Sequence, residues 1–444
     1  MTIIIELEDE VTTLFTNGDK VTGQIVLTTT NPHQSMTIKL AGICQSGIGS
    51  VVESHEIFTK TRVLEPDNTL NENNIQVYPF SLSFPETQYH NNNCQDTVPI
   101  PLGFGYTGPS FPNTTSPFST LPPTFHYSDP KSLVKISYSI TAKVVFDDGT
   151  SSSTSIGLHF GPPNRILTYC LSHLCKRLDY GKILLDDISI GQTLVTIPRK
   201  ASKNLLDRIT PNQKFCIPLA LVCEFTSLAR RHTNAGISNR FLKCGSSLSK
   251  QLSFKLVSFL SPESLASYLN LPSSSIKITI SGLRVTLHQL VVFGSTNSVG
   301  KGHNELMVFD IPVSHDLDFN KHFEPVHSSE IPVSPYYDSE CCANYSGDIW
   351  YQFTVPKDWY NVKIPEIPQS FLWNNAQLDY VLRAQMTLHT TKKNRTKLRC
   401  LAPLVVLRSE ETTDDTVPAY SAIAGVGEKV LKDFRYSVSS TLLV

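Results

Sequence analysis

Charge is scarce in this sequence, and the two signs balance. Only 17% of the 444 residues are charged, and 38 basic residues against 39 acidic ones leave a net charge of -1 at pH 7. We therefore expect no attraction of the whole molecule to nucleic acid, which depends on surplus positive charge. Hydrophobic residues still make up 40% of the chain, which is enough to build cores and is not typical of a disordered protein.

Long apolar runs are also missing. None approaches the roughly 20 residues that a membrane-spanning helix needs. The first residues, Met1–Glu10, are acidic and lack the basic region and cleavage site of a secretory signal. We therefore expect a cytoplasmic chain, in a reducing compartment where its 10 cysteines stay as thiols.

The motifs of common enzymes and metal sites are absent from the sequence. No Cys-x-x-Cys pair occurs, which disfavours a zinc ribbon or a thioredoxin-type site. There is no His-Glu-x-x-His, no Gly-x-Ser-x-Gly elbow and no Gly-rich phosphate loop before a helix. We therefore expect a protein that is not an enzyme and that carries no metal or cofactor.

Strand patterns dominate what is present. Val21–Thr28 is rich in β-branched residues, and Ile136–Phe146 alternates apolar and polar residues before a turn at Asp147–Gly149. Three further segments follow the same pattern: Ile276–Ile280, Arg284–Leu290 and Leu378–Met386. Short strands between Pro, Gly, Asn and Ser clusters predict an all-β chain of antiparallel sandwiches.

Two segments predict short helices. Arg165–Leu178 places apolar residues at helical spacing and ends in a basic cluster. Glu263–Leu269 follows Pro262, with Ser261 as its candidate N-cap. The first helix either packs on a sheet or lies on a membrane surface, since one face is apolar and its end is basic.

Three segments have the composition of loops or linkers. Residues 87–120 and 314–343 are rich in polar residues and proline, and we interpret both as long loops. After residue 408 the composition becomes acidic, which indicates the start of a flexible tail. Gly161-Pro162-Pro163 indicates a domain boundary.

The order of several segments resembles a known family. Asn17–Ile25 is similar to the G-D-x-V-x-G-x-V opening of arrestin-like domains, and Tyr78–Phe84 to their pF-x-f-x-l-P segment. Leu121–Phe125 followed by Ile136–Tyr138 resembles their L-P-P-S-F and I-x-Y segments. The remaining similar segments are Ile38–Gly42, Gln377–Met386 and Leu401–Leu407. Within the arrestin superfamily the chain is most similar to the α-arrestins, the fungal arrestin-related trafficking adaptors.

This resemblance implies a domain organisation and a function. It implies two arrestin-type β-sandwich domains, at residues 1–163 and 164–408, and a tail at residues 409–444. α-Arrestins bind cytoplasmic segments of membrane transporters and recruit a WW-domain HECT ubiquitin ligase, which promotes ubiquitination and endocytosis. They act in the cytoplasm, peripherally at the plasma membrane or endosomes. Two alternatives stay open: a ligase-independent sorting scaffold of the retromer-associated type, and a secreted or cell-surface binding protein.

A Pro-x-Tyr motif in the tail is the main candidate for ligase recruitment. It consists of Val417, Pro418 and Tyr420, a relaxed form of the PPxY motif that WW domains bind. WW domains hold such segments in a polyproline II conformation in an aromatic groove. The backup is Ser334, Pro335 and Tyr337, for which a turn with packed tyrosines is the structural alternative.

A basic hairpin tip is the candidate contact for anionic partners. The residues of this patch are Lys392, Lys393, Arg395, Lys397 and Arg399. It is suited to an anionic membrane surface or an acidic transporter segment, and the alternative is a solvated turn that protects a sheet edge. The resemblance also implies ubiquitin acceptors near the motif, for which the candidates are Lys392, Lys393, Lys397, Lys429 and Lys432.

Overall fold

The part of the chain that the structure describes is mostly β-strand, as the sequence predicts. The computed structural model describes residues 2–9, 13–65, 75–86, 121–162, 188–198, 214–226, 241–269, 277–295, 298–330, 348–373, 376–390 and 395–409. Strands account for 71% of these residues, and the pairing between strands is almost wholly antiparallel. The fold is therefore all-β and sandwich-like.

The N-terminal strands form two sheets. They are β1 (Thr2–Leu7), β2 (Leu14–Phe15), β3 (Lys20–Thr28), β4 (His33–Ile48), β5 (Val51–Leu64), β6 (Ile75–Ser83), β7 (Phe125–Asp129), β8 (Ser132–Phe146) and β9 (Ser151–Phe160). One sheet has the order β1-β3-β6, and the other has the order β2-β9-β8-β4-β5 with β7 paired to β8.

The core of this half follows from alternation in its long strands. Strand β8 buries every second residue from Val134 to Phe146, because successive side chains of a strand point to opposite faces. Phe84, which follows β6, packs between Tyr138 and Phe160, with ring centroids 5.7 and 4.9 Å away. The hydroxyl of Tyr138 is buried and donates to the carbonyl of Pro122 at 2.5 Å. This aromatic cluster joins the two sheets.

The described C-terminal strands form two further sheets. They are β10 (Ile188–Pro198), β11 (Lys214–Phe225), β12 (Phe241–Lys243), β13 (Leu252–Ser258), β14 (Lys277–Ser295), β15 (Ser298–Ile311), β16 (His315–Asp318), β17 (Glu324–His327), β18 (Ile349–Thr354), β19 (Phe371–Trp373), β20 (Ala376–His389) and β21 (Arg395–Leu407). One sheet is β10-β11-β13-β18-β17; the other is β12-β21-β20-β14-β15, with β16 on β14 and β19 on β20.

The two C-terminal sheets approach closely where β10 passes β21. The Cys400 thiol donates to the carbonyl of Ser189 at 3.2 Å. A Cβ atom at Gly191 would lie 1.7 Å from the carbonyl oxygen of Arg399. Only glycine allows this approach of the two backbones.

Within the described residues, three short helices accompany the strands: α1 (Leu248–Gln251), α2 (Pro262–Leu269) and α3 (Phe319–His322). Helix α2 confirms the predicted segment, because it begins at Pro262 and the Ser261 hydroxyl accepts a hydrogen bond from the Ser264 backbone amide at 3.1 Å. The helix predicted for residues 165–178 and the loop predicted for residues 87–120 lie outside the described residues. The described ranges also contain the 3-10 helices Ser328–Glu330 and Lys357–Tyr360.

The interpretation of residues 314–343 as one long loop is wrong for its first half. Residues 315–330 contain β16, α3, β17 and a 3-10 helix. Their buried side chains, Leu317, Phe319, Phe323 and Val326, fix the segment to the core. Each element has only three or four residues, which is too short for a periodic pattern to reveal.

The two halves contact each other through β7. The Phe125 ring meets the Phe371 ring edge to face, with centroids 5.3 Å apart. The Tyr127 ring fills the space over Gly302, where a Cβ atom would come within 2.3 Å of the ring. Among the described strands, none before residue 161 shares a sheet with one after residue 187, so side-chain packing of this kind joins the halves.

Candidate functional site

Basic side chains gather on one face of the seven-stranded sheet. Strand β20 buries Leu382, Ala384 and Met386 in the core, so that Arg383 and Gln385 point to the opposite face. The same alternation on β14 and β21 directs further residues to that face. We define the basic face as Arg284, Thr286, Glu305, Arg383, Gln385, Lys397 and Arg399, which line an open cavity of about 220 Å³.

Strand register brings these residues together from distant parts of the chain. Arg284 lies opposite Gln385, and Gln385 lies opposite Arg399. In the next row Arg383 lies opposite Thr286. Directly opposed side chains in a sheet are about 5 Å apart at Cβ, so three strands present their cations within one small area.

The basic face has more positive charge than its neighbours neutralise. Four cations line the cavity against one carboxylate, that of Glu305. A second carboxylate, Asp310, lies 3.7 Å from Arg284 in an exposed ion pair, which contributes little in water. Burial lowers the pKa of Arg383, and the nearby Arg399 lowers it further. A surplus of cations in a concave polar surface suits an anionic group.

A pair of stacked histidines adjoins the basic face. His288 Nδ1 lies 2.8 Å from His303 Nε2, and their ring centroids are 4.9 Å apart. Glu305 Oε1 lies 4.0 Å from the same His288 nitrogen. Burial, together with the nearby His303, Arg383 and Arg284, lowers the pKa of His288 to about 4. His288 is therefore neutral near pH 7 and adds no charge to the face.

This burial predicts an acid-dependent loss of stability. Folding lowers the pKa of His288 from 6.5 to about 4, so the unfolded chain binds the proton more tightly. The stabilisation is complete above pH 6.5 and is lost as the pH falls toward 4, by up to about 3 kcal/mol. In urea unfolding at a series of pH values, His288→Gln should flatten this part of the profile. The exposed His327→Gln variant should keep the wild-type slope, and equal slopes for all three proteins would contradict the assignment.

The patch predicted from sequence lies only partly within the described residues. Arg395, Lys397 and Arg399 occupy alternate positions of β21 and are exposed on the same face of the sheet. They belong to a strand, whereas the sequence suggested a hairpin tip. Lys392 and Lys393 lie outside the described residues. The structure adds Arg284, Arg383 and Gln385, which the sequence analysis missed.

The other candidate residues lie mostly beyond the described part of the chain. Both Pro-x-Tyr candidates, at residues 417–420 and 334–337, lie outside it. Of the candidate ubiquitin acceptors, only Lys397 is described, and its side chain is exposed. These assignments stay predictions.

Neither a metal site nor a membrane-spanning helix occurs among the described residues. In the described ranges, no group of three or more His, Cys, Asp or Glu side chains is arranged to hold a metal ion. The helices among those residues are too short and too polar to span a membrane. A scan of the chain against protein-family models found no matching family, and a search of curated proteins found no similar sequence.

Proposed function

We propose that this chain is an adaptor of the α-arrestin type. Its basic face binds an acidic cytoplasmic segment of a membrane transporter, and its tail recruits a WW-domain HECT ubiquitin ligase. Ubiquitination and endocytosis of the transporter follow from bringing ligase and substrate together. Catalysis belongs to the ligase, and the adaptor supplies effective concentration.

One observation carries the cargo-binding part of the proposal. The four cations of the basic face come from β14, β20 and β21 and surround an open cavity of about 220 Å³. The net charge of the whole chain is only -1, so any attraction to an acidic partner depends on such a local concentration of charge. An extended acidic segment lying across the three strands would meet these cations in succession.

The sheet architecture supports the family part of the proposal. Two groups of antiparallel sheets follow one another along the chain, and the order of sequence motifs resembles that of α-arrestins. The proposed location, at the cytoplasmic side of the plasma membrane or of endosomes, depends on this resemblance alone.

The ligase-binding part is tested by titrating the full-length chain with WW domains of a HECT ligase. Wild type should bind with micromolar affinity, and Tyr420→Ala should weaken binding at least about tenfold, because the tyrosine fills a pocket beside the proline groove. Tyr336→Ala and Tyr337→Ala are the matched controls and should bind as wild type does. Loss of binding only in these two variants would move the site to residues 334–337. A wild-type chain that binds no WW domain would favour the ligase-independent scaffold.

A further inference from the structure

Strand β5 forms one edge of the six-stranded N-terminal sheet. It has 14 residues, Val51–Leu64, and among the described residues it pairs only with β4. A long edge strand is a surface to which another strand can add. Two-residue edge strands such as β2 offer far less of this surface.

The side chains of β5 are unusually apolar at its two ends and charged between them. Val51 and Val52 at its start are 56% and 53% exposed, and Val63 near its end is 64% exposed. Glu53 follows the first pair, and Arg62 precedes the last valine. The start of β5 therefore has an exposed valine next to a glutamate, and its end has an arginine next to an exposed valine.

A β-bulge at Ile57, in the middle of β5, places Glu53 and Arg62 on the same face of the strand. The pairing with β4 skips Ile57, because Gly42 lies opposite Phe58 and the next residue of β4, Ile43, lies opposite Glu56. As a result Glu53 lies opposite Ser46 and Arg62 opposite Ile38, and these two β4 residues share a face because they are separated by an even number of positions.

Val52 and Val63 lie on the other face of β5, as their partners on β4 show. Val52 pairs with Gly47, and Val63 pairs with Thr37. In a regular strand, residues 52 and 63 would point to opposite faces, since they are separated by an odd number of positions. The extra residue, Ile57, brings Val52 and Val63 to the same face.

We propose that β5 is a self-association edge, at which two copies of this chain pair their β5 strands antiparallel about a two-fold axis. Glu53 of each copy lies opposite Arg62 of the other, and Val52 lies opposite Val63. The two-fold axis repeats each pair, so two ion pairs and two valine pairs form at once. The two six-stranded sheets become one continuous sheet across the dimer.

The side chains select this register over its neighbours. A shift of two residues in either direction places Val63 opposite Ser50 or Ser54, which removes both valine pairs. In the proposed register Ser54 lies opposite Thr61, and Glu56 lies opposite Thr59. These polar pairs are also compatible with cross-strand contact.

Analytical ultracentrifugation of the full-length chain over micromolar to submillimolar concentrations tests the proposal. Wild type should form a dimer. Glu53→Arg and Arg62→Glu should each weaken the dimer at least about tenfold, because each places like charges opposite one another twice. The two variants mixed together should dimerise with near wild-type affinity, since each then meets the opposite charge.

The matched control is Glu56→Arg, which reverses a charge on the same strand. Because Glu56 lies opposite Thr59 of the other copy, this change should alter the dimer affinity less than about twofold. Thermal unfolding of each variant checks that it folds. A wild-type chain that stays monomeric throughout overturns the proposal. So does a dimer that tolerates both single reversals, or a mixture of the two variants that does not associate.

Discussion

Reversing the charges of Lys397 and Arg399 together should weaken the binding of an acidic peptide by about 50-fold. Each exposed cation near a polyanion contributes about 1 kcal/mol, and reversal adds repulsion to the loss of attraction. Both side chains are exposed on β21 and line the basic face. The substitutions therefore remove charge without opening the core.

Fluorescence anisotropy with a labelled peptide of alternating Glu and Ser residues measures this effect. Binding to wild type should weaken steeply as salt is added, because the contacts are between solvent-exposed charges. The reversal of both Lys135 and Lys143 to Glu is the matched control, since these are two exposed lysines on a strand of the N-terminal half. Equal losses for the control and the double variant would mean that net charge, and not this face, determines binding.

Gly191→Ala should destabilise the protein by about 3 kcal/mol, as is typical of a side chain forced into a filled space. The added Cβ would lie 1.7 Å from the Arg399 carbonyl oxygen. The obstacle is backbone and not a flexible side chain, so one of the two C-terminal sheets must shift. We expect a lower urea midpoint, and reduced peptide binding as well because Arg399 belongs to the basic face.

Gly157→Ala provides the matched control for this effect. It makes the same chemical change in strand β9, where an added Cβ would meet nothing within 4 Å. The free energy of unfolding should stay within about 1 kcal/mol of wild type, and on the stabilising side, because alanine restricts the unfolded chain. If the two variants were equally stable, the close approach of β10 and β21 would not be real.

Much of the fold is predictable from local sequence because single strands carry their own pattern. Apolar and polar residues alternate from Ile136 to Val144, and the turn that follows Phe146 contains Gly149, whose φ of 81° favours glycine. The sequence predicts separate strands at Ile276–Ile280 and Arg284–Leu290, whereas residues 277–280 and 284–290 lie in one strand, β14. The polar Ser281 and Gly282 between them mark a shift in register and not a turn.

The candidate site was only half predictable, because it depends on register between distant strands. Lys397 and Arg399 are recognisable as a basic run along one segment. Arg284 and Arg383 are single charges on apolar strands, about 100 residues apart, and only the pairing of β14 with β20 brings them together. The alternation around Arg383, between the buried Leu382 and Ala384, shows that it points outward, but not which residues it meets.

In the proposed function, one chain links an acidic segment to a WW-domain ligase. The most direct test immobilises the acidic peptide on a sensor surface, adds the full-length chain, and then adds a WW domain of a HECT ligase. The WW domain should be captured only when the chain is present. The double reversal at Lys397 and Arg399 should abolish capture because the chain is no longer retained on the peptide. Tyr420→Ala should also abolish capture of the WW domain, although the chain itself stays on the peptide. A WW domain that is never captured, although the wild-type chain is retained on the peptide, would contradict the adaptor function.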